Sequence, residues 1–304
     1  MNMSHKPMDT VLSACERDEL ELLQRLVRCN EFRRSINVKE REVYPLEYAC
    51  RENGMAFVDT LLKSGAKDTI EDAHGNKPIH IACKRKVDST KKVKLLVKQN
   101  KENINRRNRR DDTPLILACI AGKTDTVKFL IQNGADMDAI DESGHFLLER
   151  AAYYDLSEII YTAILNGANV NQADIKTGNT SLHIAANFGS FKAVQALTSN
   201  PYCDVNIRNK RNQTALDIAQ SKPESSLALQ KHSEIAEHLQ KLKSEKDPKY
   251  KIALQWDGLE REWELFLVNL EHIDHTAIQK LTNERQRIKG QLNTESDFST
   301  HRLC

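Results

Sequence analysis

Short apolar blocks alternate with polar, glycine-containing stretches along most of this chain, at a steady interval. Residues 113–143 show the content of one interval. Thr113 suits an N-cap, and Pro114 suits the first helical turn, where its missing N–H had no partner to lose. Leu115, Leu117 and Ala118 then share one face at helical spacing. Ala121-Gly122 ends this short helix, and a second follows with Val127, Phe129, Leu130 and Ile131 as its apolar residues. Asn133-Gly134-Ala135 closes it, the glycine free to take a left-handed C-cap. Ala135 to Ser143 reads as a turn-rich hairpin. Neither the helix pair nor the hairpin can bury its apolar face alone, so the pattern predicts stacking against neighbouring copies.

The copies are present. Taking the second residue of each helix-opening phrase as anchor, equivalent positions fall at Thr10, Pro45, Pro78, Pro114, Leu147, Ser181 and Ala215. The steps are 35, 33, 36, 33, 34 and 34 residues, a period that marks stacked supersecondary units. The clearest phrase, Thr180-Ser181-Leu182-His183-Ile184-Ala185-Ala186, resembles the T-P-L-H-x-A-A signature of the ankyrin repeat, over roughly residues 9–242. The resemblance implies an all-α repeat solenoid of about seven helix-turn-helix units with short hairpins. It also implies partner binding on a concave face built from hairpin tips and the exposed ends of the first helices.

The phrase weakens at defined places. Repeat one lacks proline, as an opening cap should. Repeat three has Gln99-Asn100-Lys101-Glu102-Asn103 where others have Gly-Ala, which predicts an irregular connection. Repeat five reads Phe146-Leu147-Leu148-Glu149, and repeat seven carries a polar insertion, Ser221 to Lys231, between its helices. The array is expected to span residues 1–243. Beyond it, Ile252, Trp256, Leu259, Trp263, Phe266, Leu270, Ile273 and Ala277 form an apolar seam in a helical appendage, residues 244–290. That seam is expected to cap the last repeat, with weak dimerisation or partner binding as the other use, and residues 291–304 read as a disordered tail.

Composition narrows the function. Met1 to Met8 carry no apolar signal core, and no run is long enough to span a membrane, so the chain reads as intracellular and cytoplasmic. Cys15, Cys50, Cys83 and Cys119 occupy the second small position of the Ala-Ala pair, where Ala152 and Ala186 stand later. They read as buried small hydrophobes, with neither metal nor cofactor implied. There is no GxxxxGK[ST], GxSxG or HExxH motif, and none of the chain suggests an enzyme. His80 and His183 are expected to hydrogen-bond neighbouring backbone. Glu47, Glu149 and Asp217 share their position, one per repeat, and adjacent repeats about 10 Å apart cannot pair them as acid and base.

Net charge is only +2, but its distribution is lopsided. Residues 75–110 carry thirteen Lys or Arg and two acids; residues 136–174 carry eight acids and one Arg. Arg106, Arg107, Arg109 and Arg110 cluster at one hairpin tip, beside Lys84, Arg85, Lys86, Lys91 and Lys92. Such a surface suits an acidic protein segment; a merely solvated basic surface and a site for nucleic acid or anionic lipid are the alternatives, and the cluster also matches a nuclear-localisation pattern. Along the first-helix ends the side chains change from charged (Arg51, Lys84, Arg85) to aromatic and polar (Tyr153, Tyr154, Asn187, Phe188). Aromatics on an interface face are the residues most often found as hot spots. The reading is a non-catalytic adaptor, scaffold or inhibitor that holds a protein partner.

Overall fold

The helix-opening phrases do begin helices. In the computed structural model, which describes residues 10–84, 89–221 and 228–244, Pro45, Pro78 and Pro114 each stand first in a helix. The Thr113 hydroxyl accepts from the Ile116 amide at 3.3 Å. Thr214 and Asp217 satisfy each other's amides, at 3.2 and 2.9 Å, as a reciprocal capping box. Gly134 and Gly167 end the second helices of repeats four and five at φ +91° and +92°.

Each repeat is a helix pair. The first helices are α1 (Val11–Glu16), α4 (Pro45–Arg51), α6 (Pro78–Lys84), α8 (Pro114–Ile120), α10 (Leu147–Tyr153), α12 (Ser181–Phe188) and α14 (Ala215–Gln220). The second helices are α2 (Leu20–Arg28), α5 (Met55–Lys63), α7 (Ser89–Gln99), α9 (Thr124–Gln132), α11 (Ser157–Leu165), α13 (Phe191–Thr198) and α15 (Ala228–Ser244). A short helix, α3 (Asn30–Arg33), follows α2. First helices pack on first helices and second on second, so the array has two helical layers. Among the described residues there is no strand, only two isolated bridges.

Three details refine the repeat register. Thr10 is itself the N-cap of α1, its hydroxyl accepting from the Ser13 amide at 3.0 Å. The first helix of repeat one therefore starts one residue later than the anchor implies. The irregular connection in repeat three is a 3-10 turn, Lys101–Asn105, capped by the Asn100 side chain. In repeat seven α15 already begins at Ala228, inside the stretch read as insertion. The chain divides into two units at residues 246 and 247, and the second unit lies outside the described residues. So do the appendage seam and the tail.

The core runs the length of the array. Cys15, Cys50, Cys83 and Cys119 are fully buried, in the row continued by Ala152 and Ala186. Side chains this small let first helices approach closely. Burial pushes the Cys15, Cys50 and Cys119 thiols up to about 12 and raises Cys83 too. These four cysteines are expected to resist alkylation in the folded protein and to react once it is unfolded. Mass spectrometry of iodoacetamide-treated native protein checks this; rapid labelling at any of the four contradicts the buried row.

Adjacent hairpins are stitched together by asparagines. Asn105 donates to the Gly134 carbonyl at 3.1 Å and accepts from the Asp136 amide at 2.9 Å. Asn37 and Asn171 make the same pair of bonds one hairpin onward from each. Buried Asn108 donates to Asn76 at 2.8 Å, and Asn209 to Asn179 at 2.8 Å.

Candidate partner-binding surface

The two histidines of the repeat phrase are used structurally. Each accepts a backbone amide at Nδ1, Lys77 for His80 (3.0 Å) and Thr180 for His183 (3.1 Å). Each Nε2 meets a carbonyl of the next hairpin, Arg106 at 2.9 Å and Gln213 at 3.0 Å. Burial holds both imidazoles below their ordinary range, so they are neutral bridges between repeats. Glu47 and Glu149 take the same amide position, accepting from Tyr44 at 3.4 Å and Phe146 at 3.2 Å. Glu149 differs in having its second oxygen, Oε1, buried with no partner.

The arginine cluster is less free than its sequence suggests. Arg107 donates to the Ile140 carbonyl of the next hairpin at 2.7 Å and to the Asp111 carbonyl at 3.1 Å. Arg109 reaches back to the Ala73 carbonyl at 2.8 Å. Arg106 pairs with Glu102 at 2.6 Å, and Arg110 with Glu142 at 3.4 Å. All four stay exposed, but Arg107 and Arg109 are straps between hairpins. The hairpin before repeat seven has its own strap in Lys210, which donates to the Ile175 carbonyl, while Arg208 donates to the Asn212 carbonyl of the same hairpin at 2.7 Å.

One cation leaves the expected surface. Lys92 is fully buried, and its ammonium donates to the Cys50 carbonyl at 3.1 Å. It caps the end of α4 and belongs to the core. Its helical phase was the available signal, since Lys92, Val93, Leu96 and Val97 share one buried face. The half-buried Arg51 is held by Glu47 one turn back. Lys84 is exposed at the end of α6, while Arg85 and Lys86 lie outside the described residues.

The aromatic positions come together. The Tyr153 ring meets Tyr154 edge-on, centroids 4.8 Å apart, and meets Phe188 at 4.4 Å and 60°. The three rings are 42%, 42% and 49% exposed. They stand at the C-terminal ends of α10 and α12, on neighbouring repeats, so stacking of the first helices builds the cluster. Each ring meets at least one other of the three, and none is buried. Half-buried Asn187 lies beside Phe188, and half-buried Ile120 and Ala121 hold the corresponding end of α8. Among the described residues no group of three His, Cys, Asp or Glu could hold a metal ion. No helix among them is long and apolar enough to cross a membrane.

The family model described as ankyrin repeats matches residues 46–141, 79–174 and 148–251. The B-cell lymphoma 3 protein homolog of Mus musculus is 31% identical over 180 residues, 59% of this chain and 40% of that protein. The chain thus spans well under half of that relative. The probable 26S proteasome regulatory subunit p28 of Saccharomyces cerevisiae is 30% identical over 57% of this chain and 77% of its own length. Among solved structures, the ankyrin repeat domain of Bcl-3 superposes with a TM-score of 0.62, covering 75% of this chain and 98% of that one at 24% identity. At that identity the likeness concerns the fold alone.

Proposed function

The chain belongs to the ankyrin-repeat family, and from that premise we propose that it is a non-catalytic adaptor, scaffold or inhibitor gripping a protein partner on its first-helix face. The observation that carries this reading is the exposed cluster of Tyr153, Tyr154 and Phe188. Large rings cost solvation where they face water, and they supply rigid contact area at low entropy when covered. Lys84, near the other end of the same face, suits an acidic residue of the partner. An intracellular setting fits this use and the four buried free thiols.

Pull-down with the intact protein beside a Tyr153→Ala/Tyr154→Ala/Phe188→Ala variant identifies the partner and tests the face together. Surface plasmon resonance then separates anchoring from steering. The triple variant is expected to dissociate faster, losing about 2 kcal/mol or more in total. Charge reversal at Arg106 and Arg110 is expected mainly to slow association and reduce its salt dependence. Arg107 and Arg109 are left intact because they hold hairpins together. If the aromatic variant keeps its dissociation rate while the Arg reversal abolishes binding, the groove reading fails and the partner sits at repeat three.

A further inference from the structure

The basic character of repeat three has a second location, on the second-helix layer. There α7 buries Val93, Leu96 and Val97 and exposes Lys91, Lys94 and Lys98. Positions i, i+3 and i+7 form one stripe, about 10 Å long at the helical rise per residue. Exposed Lys101 follows just past the helix end, and exposed Lys128 stands on α9, packed beside α7. The Lys94 ammonium lies 5.6 Å from the centre of the Phe129 ring of α9, which steers its long stem across the two helices. Two nearby carboxylates are held by cations outside the stripe. Asp59 is held by Lys63 at 2.7 Å, Glu102 by Arg106 at 2.6 Å, and Asp125 stands one turn before Lys128.

We propose that these five lysines form a docking surface for the anionic headgroups of a phospholipid bilayer, separate from the first-helix face and able to act while that face holds a partner. The residue types select this occupant. Lysine presents a compact, strongly hydrated charge on a flexible stem, which suits mobile headgroups that rearrange around it. Nucleic acid favours arginine forks and exposed rings for stacking. Arg107 and Arg109 are engaged in the hairpins, Arg106 and Arg110 pair with carboxylates, and the one ring among the described residues of the stripe, Phe129, is half-buried under Lys94. Two helices side by side present a broad surface to a broad partner.

Co-sedimentation of the full chain with phosphatidylcholine vesicles, with and without phosphatidylserine, tests the proposal. Binding is expected only with phosphatidylserine and is expected to disappear at high salt. Each Lys→Gln change should weaken it by about five-fold, since each lysine near an anionic leaflet contributes on the order of 1 kcal/mol. The combined Lys91→Gln/Lys94→Gln/Lys98→Gln/Lys128→Gln variant should stay in the supernatant with an unchanged unfolding midpoint. Lys98→Glu alone serves if the combined variant unfolds. Arg106→Gln should bind vesicles as the parent does. The proposal is overturned by any of three results: no binding to phosphatidylserine vesicles, equal binding by the lysine variants, or tighter binding to a DNA duplex or polyglutamate at the same salt.

Discussion

Replacing Gly75 or Gly178 by valine is expected to destabilise the array by about 3 kcal/mol or more, against about 1–2 kcal/mol at Gly134 or Gly167. All four glycines have positive φ, between +71° and +92°, so every substitution carries the backbone cost of that conformation. The difference lies in what the new side chain meets. A Cβ at Gly134 or Gly167 has nothing within 4 Å. At Gly75 it would lie 2.9 Å from the Arg109 amide nitrogen, and at Gly178 3.0 Å from that of Lys210. Those amides donate to the carbonyls of His74 (3.4 Å) and Thr177 (2.9 Å), so one hairpin cannot yield without losing its bond to the next. Urea titrations of the four variants decide the matter. Long arrays can unfold in stages, so the first transition is the one to compare. Equal losses at all four sites would mean that hairpin-to-hairpin contact adds nothing to stability.

The contrast between these glycines marks what was legible in the sequence. The period, the helix starts at proline and threonine, the row of small thiols and the bridging histidines all follow from residues repeating at fixed positions. Each such position has the same neighbours in every copy, so one copy explains the others. What escaped depends on neighbours that do not repeat. Counting charge over residues 75–110 could not tell that Lys92 caps α4 from inside, or that Arg107 and Arg109 join hairpins. It also merged two surfaces, a hairpin tip and a stripe on the second-helix layer, into one. The aromatic cluster was half legible: its positions came from the register, but the contact between Tyr153 and Phe188 comes from the stacking of α10 on α12. The late start of α1 escaped because threonine fits both the cap and the position after it.

Glu149 is where a repeat position is filled by chemistry that does not suit it, and its consequence is a stability that falls as pH rises. His80 and His183 answer two groups from this position, an amide and a carbonyl of the next hairpin. A carboxylate answers only the amide, leaving buried Oε1 without a partner. Burial pushes the Glu149 carboxyl up to about 8; Asp174 and Asp141 add to the rise, while the Phe146 amide and Arg150 oppose it. In the unfolded chain the same group titrates near 4.5. Between these values the folded state binds the extra proton, so stability declines as pH rises from about 4.5 to about 8 and levels off above. Buried His80 and His183 and half-buried His238 act in the opposite sense, since their lowered imidazoles cost stability as pH falls below 6.5. The comparison that isolates Glu149 is therefore parent against Glu149→Gln, whose amide keeps the Phe146 bond and supplies a donor. The two should match near pH 5, and the variant should gain about 2 kcal/mol or more at pH 8. Glu149→His should behave like the glutamine variant above pH 7, because it restores the residue that bridges repeats elsewhere in the array. Denaturation midpoints at half-unit intervals from pH 5 to pH 9 provide the measurement. A parent-minus-variant difference that stays flat over that range would show that Glu149 is already ionised in the folded array.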